Sequence, residues 1–308
     1  MEKRNFTCSD SRVIAYRVWL PKKGTRIIAV VHILHGMAEH SARYDEFAKF
    51  LASNSIAVFA QDHRGHGDSI LNGEKGFFAD SNGWQRVADD AFELSSSIAA
   101  EFPGIPLFLM GHSMGSFLAR TVMVQHPELY DGVIIMGTGA SQGIVGSIGR
   151  LIAKGEVKKN GPHQPSEKMN KLSFGNYNKK FEPGATGFEW LSRDPEAVRK
   201  YVEDPLCGFV CTGEFYIDII DGIKFANSGD NAQKLPKDLP LLIISGSMDP
   251  VGNFSKGVKK VYALYHDAGI TDVTLKLVDG AHHELLNETD RKDTYKYLLG
   301  WISDHIQQ

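Results

Sequence analysis

The stretch PLFLMGHSMGSF, residues 106–117, decides how the rest of the chain is read. Leu107, Phe108, Leu109 and Met110 make a short apolar run of the kind that forms a strand buried on both faces. Gly111-His112-Ser113-Met114-Gly115 follows, and the periodic segment after it predicts a helix. A serine on so sharp a strand-to-helix turn crowds the backbone two residues to either side. Glycine, which has no Cβ, tolerates that contact. The strain lifts the Ser113 hydroxyl clear of the strand. The helix that it opens points N–H groups toward any negative charge forming beside it.

Outward from this turn, strands and helices alternate. Residues 6–20 read as two strands with a turn near Ser9-Asp10-Ser11, an antiparallel edge. The apolar run at 26–34 reads as a central strand ending in His35-Gly36-Met37-Ala38-Glu39-His40. Tyr44, Phe47, Ala48 and Leu51 then fall at helical spacing. Residues 56–60 are the next strand, running into Asp62-His63-Arg64-Gly65-His66-Gly67-Asp68-Ser69. Trp84, Val87, Ala88, Ala91, Leu94 and Ile98 share one helix face. Strands at 132–136, 239–245 and 273–278 follow, the last two each trailed by a helical pattern. This alternation predicts an α/β fold with a mostly parallel central sheet flanked by helices. From 138 to 221 the rhythm breaks: Gly, Pro, Asn and Lys accumulate, and only short helices are suggested, at 144–153, 195–203 and 215–223. We read 138–221 as a mainly helical cap over the sheet, and 1–137 with 222–308 as the core.

Composition narrows the function classes. A formal net charge of −3 gives no electrostatic footprint for nucleic acid. No stretch is long and apolar enough to span a bilayer, and the N-terminal residues lack a signal-peptide core. Cys8, Cys207 and Cys211 are too few and too scattered for a disulfide framework, so free thiols in a cytoplasmic setting are expected. Cys207 and Cys211 are four apart, but no histidine lies near them in sequence, and neither metal nor organic cofactor is expected.

Reactive groups in parallel α/β sheets collect on loops at the carboxyl ends of strands. After the strand at 239–245 comes Gly246-Ser247-Met248-Asp249-Pro250-Val251-Gly252. After 273–278 comes Asp279-Gly280-Ala281-His282-His283-Glu284. The order Ser113, Asp249, then His282 or His283 suits nucleophilic catalysis: histidine takes the serine proton, and aspartate fixes the histidine tautomer. Asp279 is the rival acid, but it sits too close in sequence to the histidines to face the far ring nitrogen easily.

These motifs together make the chain resemble an α/β-hydrolase of the monoacylglycerol lipase/lysophospholipase group. The matching segments are 35–40 with Arg43 and Tyr44, 62–69, 111–115, 245–252 and 280–284. The resemblance covers nearly the whole chain except the cap. It implies that His283, fourth in Gly-Ala-x-His, is the catalytic histidine, and that His282 is a partly exposed loop residue. It implies an oxyanion hole made by the backbone N–H groups of Met37 and Met114. It also implies a serine carboxylic-ester hydrolase working through an acyl-enzyme on a monoacylglycerol or lysophospholipid. The alternatives are a short-chain carboxylesterase, acyltransferase or peptidase on the same scaffold, or a lipid receptor that kept the fold.

The residues around the turn carry softer expectations. His35, Gly36, Glu39, His40, Arg43 and His112 either orient the oxyanion loop or touch a head group. For Glu39, His40 and Arg43 the favoured reading is an ion pair pinning the loop to the next helix. In the cap, Ile144, Val145, Ile148, Leu151 and Ile152 fall on one helix. They either line an acyl tunnel, dip into a lipid surface beside Lys154, Lys158 and Lys159, or pack down on the core. Packing is the favoured expectation for so short a stripe.

Overall fold

The computed structural model describes residues 1–181 and 184–306. Its centre is one eight-stranded sheet ordered β1-β2-β4-β3-β5-β6-β7-β8. In chain order the strands are β1 (Glu2–Thr7), β2 (Val13–Trp19), β3 (Ala29–Leu34), β4 (Ile56–Gln61), β5 (Leu107–His112), β6 (Gly132–Met136), β7 (Leu241–Gly246) and β8 (Val273–Val278). β2 runs antiparallel to β1 and β4, and every other pairing is parallel. The edge expected at 6–20 is therefore present, with its first strand starting earlier, at Glu2.

Every residue of β3, β4, β5, β6 and β7 is buried, as continuous apolar runs require when helices cover both faces. The period of two sorts them. Val30, Phe59, Leu109, Ile135 and Ile243 face one core, under α2 (Gly83–Glu101), α3 (Met114–Gln125) and α9 (Lys256–Asp267). Val31, Val58, Met110, Ile134 and Ile244 face the other, under α1 (Asp45–Ser53) and α10 (Arg291–His305).

Between β6 and β7 lie α4 (Gly143–Asn160), α5 (Glu167–Phe174), α6 (Pro195–Glu203), α7 (Gly213–Ala226) and α8 (Gly229–Ala232). α6 has the bounds expected of it, set by the Asp194 side chain, which accepts from the Glu196 N–H, and by Pro195 in the first turn. α4 runs seven residues past the expected end at 153. Its last turn carries Lys158 and Lys159, cations that the negative end of the helix dipole favours. The boundary read at 221 falls inside α7, which packs against both α4 and the core helix α3. Among the described residues, no helix is long and apolar enough to cross a membrane.

Candidate active site

The carboxyl ends of β3, β5, β6, β7 and β8 converge under the cap. At the end of β5, Ser113 takes φ 53° and ψ −119°, a backbone state that L side chains avoid. Its neighbours explain the spacing. A Cβ on Gly111 would stand 2.1 Å from the Gly115 carbonyl oxygen, and one on Gly115 would stand 2.0 Å from that of Leu34. Only glycine fits at either position. The Ser113 N–H donates to the Met136 carbonyl at 3.0 Å, and the Ser116 hydroxyl donates to the Ser113 carbonyl at 2.6 Å. These bonds hold the strained turn open.

His283 Nδ1 lies 2.9 Å from Asp249 Oδ2, with both residues buried. The Ser245 hydroxyl also donates to Oδ2, at 3.2 Å, and the Val251 N–H donates to Oδ1 at 2.8 Å. The ionised carboxylate therefore accepts the Nδ1–H, leaving the Nε2 lone pair free. The imidazole packs beside Trp190, with ring centroids 5.1 Å apart, and beside His112 at 4.7 Å. Ser113 and His283 line the same cavity. His282 turns elsewhere: it is half-buried, and its Nδ1–H donates to the Glu189 carbonyl at 2.7 Å. Among the described residues, Asp279 accepts only from the Ser247 hydroxyl, at 3.3 Å, in an exposed contact.

Beneath this pair, Glu39 is a hub. Its Oε1 accepts from the Gly36 N–H at 2.6 Å, the Tyr44 hydroxyl at 3.0 Å and His112 Nδ1 at 3.1 Å. Its Oε2 accepts from Arg43 at 2.7 Å, and Arg43 also grips both Glu284 oxygens at 2.6 Å each. Burial by itself would raise the Glu39 carboxyl, but the His112 hydrogen bond and the Arg43 charge hold it well below its ordinary value. Burial likewise opposes charge on His112, yet the Glu39 hydrogen bond carries its imidazole above the ordinary value. From its other nitrogen His112 donates to the His283 carbonyl at 3.3 Å. The ion pair expected among Glu39, Arg43 and the helix is thus one corner of a network joining the β3 loop, the β5 turn and the His283 loop.

The loop after β3 is fixed from below as well. His35 donates from Nδ1 to the Gly36 carbonyl at 2.7 Å and accepts the His63 N–H on Nε2 at 3.0 Å. Burial drops its pKa to about 3, so it stays neutral. Gly36 approaches Ser113 so closely that a Cβ there would lie 3.1 Å from Ser113 Cβ. Among the described residues, neither the Met37 nor the Met114 N–H donates to a protein acceptor. His40 lies apart from this group, its Nε2 2.9 Å from Asp204 Oδ2.

Two cavities meet at Ser113. One, of about 300 Å³, is bordered by Glu39, His112, Lys171, Tyr201, His283 and Glu284 and by the apolar Phe174, Phe188, Trp190 and Leu191. The other, of about 430 Å³, is lined mostly by apolar groups, among them Phe117, Met169, Ile220 and Val251, with Gln142, Ser173 and Asn176 between them. The α4 stripe divides. Val145, Ile148 and Ile152 line the apolar cavity, whereas Ile144 and Leu151 are 80% and 69% exposed. The expectation that the stripe packs down on the core fails at four of its five positions; only Ile152 reaches the core. The stripe straddles the rim of the cavity, so its outer members meet solvent. Sequence reading missed Tyr201 and Trp190 because the cap carries no motif to flag them. It quoted Glu284 within a motif but gave it no part.

A family model described as Hydrolase_4, serine aminopeptidase S33, matches residues 25–290. A monoglyceride lipase homolog of monkeypox virus is 30% identical over 97% of this chain and 97% of its own length. Human monoglyceride lipase is 30% identical over 96% of this chain and 88% of its own. A thermostable carboxyl esterase from Bacillus coagulans, solved with glycerol, superposes with a TM-score of 0.91 at 24% identity, covering 99% of this chain and 98% of its own, which shows the fold.

Proposed function

Because this chain belongs to the α/β-hydrolase family that contains the monoglyceride lipases, we propose that it is a serine carboxylic-ester hydrolase acting on monoacylglycerols. Ser113 attacks the ester carbonyl while His283 Nε2 takes its proton, and Asp249 holds the imidazolium in register. The new C–O bond places negative charge on the carbonyl oxygen, which the Met37 and Met114 N–H groups receive. One such donor is typically worth about 3 kcal/mol of transition-state stabilisation. As the intermediate collapses, the glycerol C–O bond breaks and His283 returns the proton to the leaving alkoxide. Water, deprotonated by the same histidine, then attacks the acyl-serine, and the fatty acid leaves.

The observation that carries the substrate is the partition of space at Ser113. The larger cavity suits an acyl chain; the smaller one, where Glu39, Glu284 and Tyr201 stand among apolar walls, suits a short alcohol that donates hydrogen bonds. Glycerol hydroxyls donate to such carboxylates. A peptide ammonium would have to displace Arg43, which already holds both carboxylates. With monoglyceride lipases among its relatives, the monoacylglycerol is favoured over the lysophospholipid and the peptide.

The exposed Ile144, Val145, Ile148 and Leu151, with Leu172 on α5, support a further part of the reading. This apolar rim sits at the mouth of the apolar cavity and dips transiently into the surface of lipid aggregates, where the substrate resides. Three free, buried cysteines fit a cytoplasmic location. Fatty-acid release from a monoacylglycerol, lysophosphatidylcholine and an acetyl ester, with Ser113→Ala as the blank, tests the proposal. Monoacylglycerol should be cleaved fastest. Equal rates on lysophosphatidylcholine would overturn the preference for monoacylglycerol, and activity in the blank would overturn the nucleophile.

A further inference from the structure

Behind the oxyanion loop, three side chains from distant parts of the chain come together. One donor atom from each of His40, Asp204 and Cys207 lies within 4.8 Å of the other two. His40 closes the loop after β3, and Asp204 and Cys207 stand three apart in the turn after α6. That turn is tight: the Cys207 N–H donates to the Asp204 carbonyl at 2.9 Å, and the Leu206 N–H donates to Asp204 Oδ1 at 2.8 Å. It presents the carboxylate and the thiol to the same point. His40 Nε2 reaches Asp204 Oδ2 at 2.9 Å, and its Nδ1 is buried with no hydrogen-bond partner among the described residues. The Cys207 thiol is free and buried, with no hydrogen-bond partner among the described residues.

An imidazole, a carboxylate and a thiolate at this separation are the donor types that zinc takes in tetrahedral sites. We propose that His40, Asp204 and Cys207 form a three-ligand zinc site whose fourth position is open to water. His40 and Asp204 border a surface groove, which supplies the path of entry. Arg43 runs close by, but Glu39 and Glu284 both hold it, so its charge is answered before it meets a dication. Zinc takes cysteine as the thiolate, so binding displaces the Cys207 thiol proton to solvent.

The position gives the ion a consequence. The Gly208 N–H and the Tyr201 hydroxyl already donate to the Ala38 carbonyl, at 2.9 Å and 3.2 Å, tying the cap to the loop that carries Met37. A zinc ion on His40, Asp204 and Cys207 clamps the same two segments together. Sequence spacing could not show this, because His40 is 164 positions from Asp204.

The test uses the intact chain and cobalt(II) as a spectroscopic stand-in for zinc. One equivalent of cobalt should produce a thiolate-to-metal charge-transfer band, which zinc then abolishes, and zinc should raise the melting temperature. Cys207→Ser should remove the band, while Cys8→Ser and Cys211→Ser should keep it. His40→Gln, which leaves every thiol in place, should weaken cobalt binding at least tenfold. Circular dichroism checks that each variant folds, and should Cys207→Ser unfold, the His40→Gln result decides. Cobalt bound without a sulfur band, a band that survives Cys207→Ser, or affinity unchanged in His40→Gln would overturn the site.

Discussion

Replacing Asp249 with asparagine changes one atom and should cost the reaction about four orders of magnitude. The structure shows why the asparagine has no good orientation. Oδ1 accepts the Val251 N–H at 2.8 Å, and Oδ2 accepts from His283 Nδ1 at 2.9 Å and the Ser245 hydroxyl at 3.2 Å. If the amide oxygen stays on Val251, the NH2 faces His283 and donates to Nδ1. That moves the ring proton to Nε2, where it meets Ser113 in place of a lone pair, and the base is lost. If the amide flips, its NH2 confronts the Val251 N–H in a buried site, donor against donor. The first orientation is the cheaper, so the wrong tautomer should dominate. The same exchange in a serine protease lowers kcat about 10⁴-fold, which is about 5 kcal/mol of activation free energy. Fatty-acid release from monoacylglycerol under saturating conditions measures it, with the melting temperature recorded alongside. A loss of less than tenfold in a folded variant would refute both the role of Asp249 and the tautomer argument.

Three further outcomes follow from the same geometry. His283→Ala should reduce kcat by several orders of magnitude and His282→Ala by less than threefold, since only the former meets Asp249; steady-state kinetics on both separates them. Ser113→Gly should melt higher than Ser113→Ala, both inactive, because glycine relieves a φ of 53° that alanine retains. The gap should be about 1 kcal/mol by denaturant titration, after glycine's own entropic cost is subtracted. The pH dependence of stability should carry a signature of His112. Its pKa is raised on folding, so its contribution is complete below the ordinary value of 6.5 and fades as pH rises through the higher folded value. The melting-temperature gap between the parent and His112→Gln should therefore narrow on the alkaline side, and a gap that widens there would contradict the charged pairing with Glu39.

Much of this site was legible along the chain because its chemistry is local. The Gly111 and Gly115 spacing encodes a steric contact within five residues. Asp249 and His283 follow strands whose apolar runs announce them. What escaped reading depends on encounters across long separations. Arg43 finds Glu284 across 241 positions, and His40 finds Asp204 across 164. No periodicity records such meetings. The cap was hard for another reason. Among its helices, α5 buries only Met169 and left no apolar pattern to find. α4 shows the converse: its apolar positions are real, but four of its five marked residues stay exposed at a rim.

On the function proposed above, the meeting of two chambers at Ser113 also sets the order of events. The alcohol would leave from the smaller chamber while the acyl group is still held covalently on Ser113. Emptying the smaller chamber is what admits water to the acyl-serine. Hydrolysis and re-esterification are then decided by which hydroxyl next enters that one space, and the acyl chain, anchored in the larger chamber, stays in place throughout.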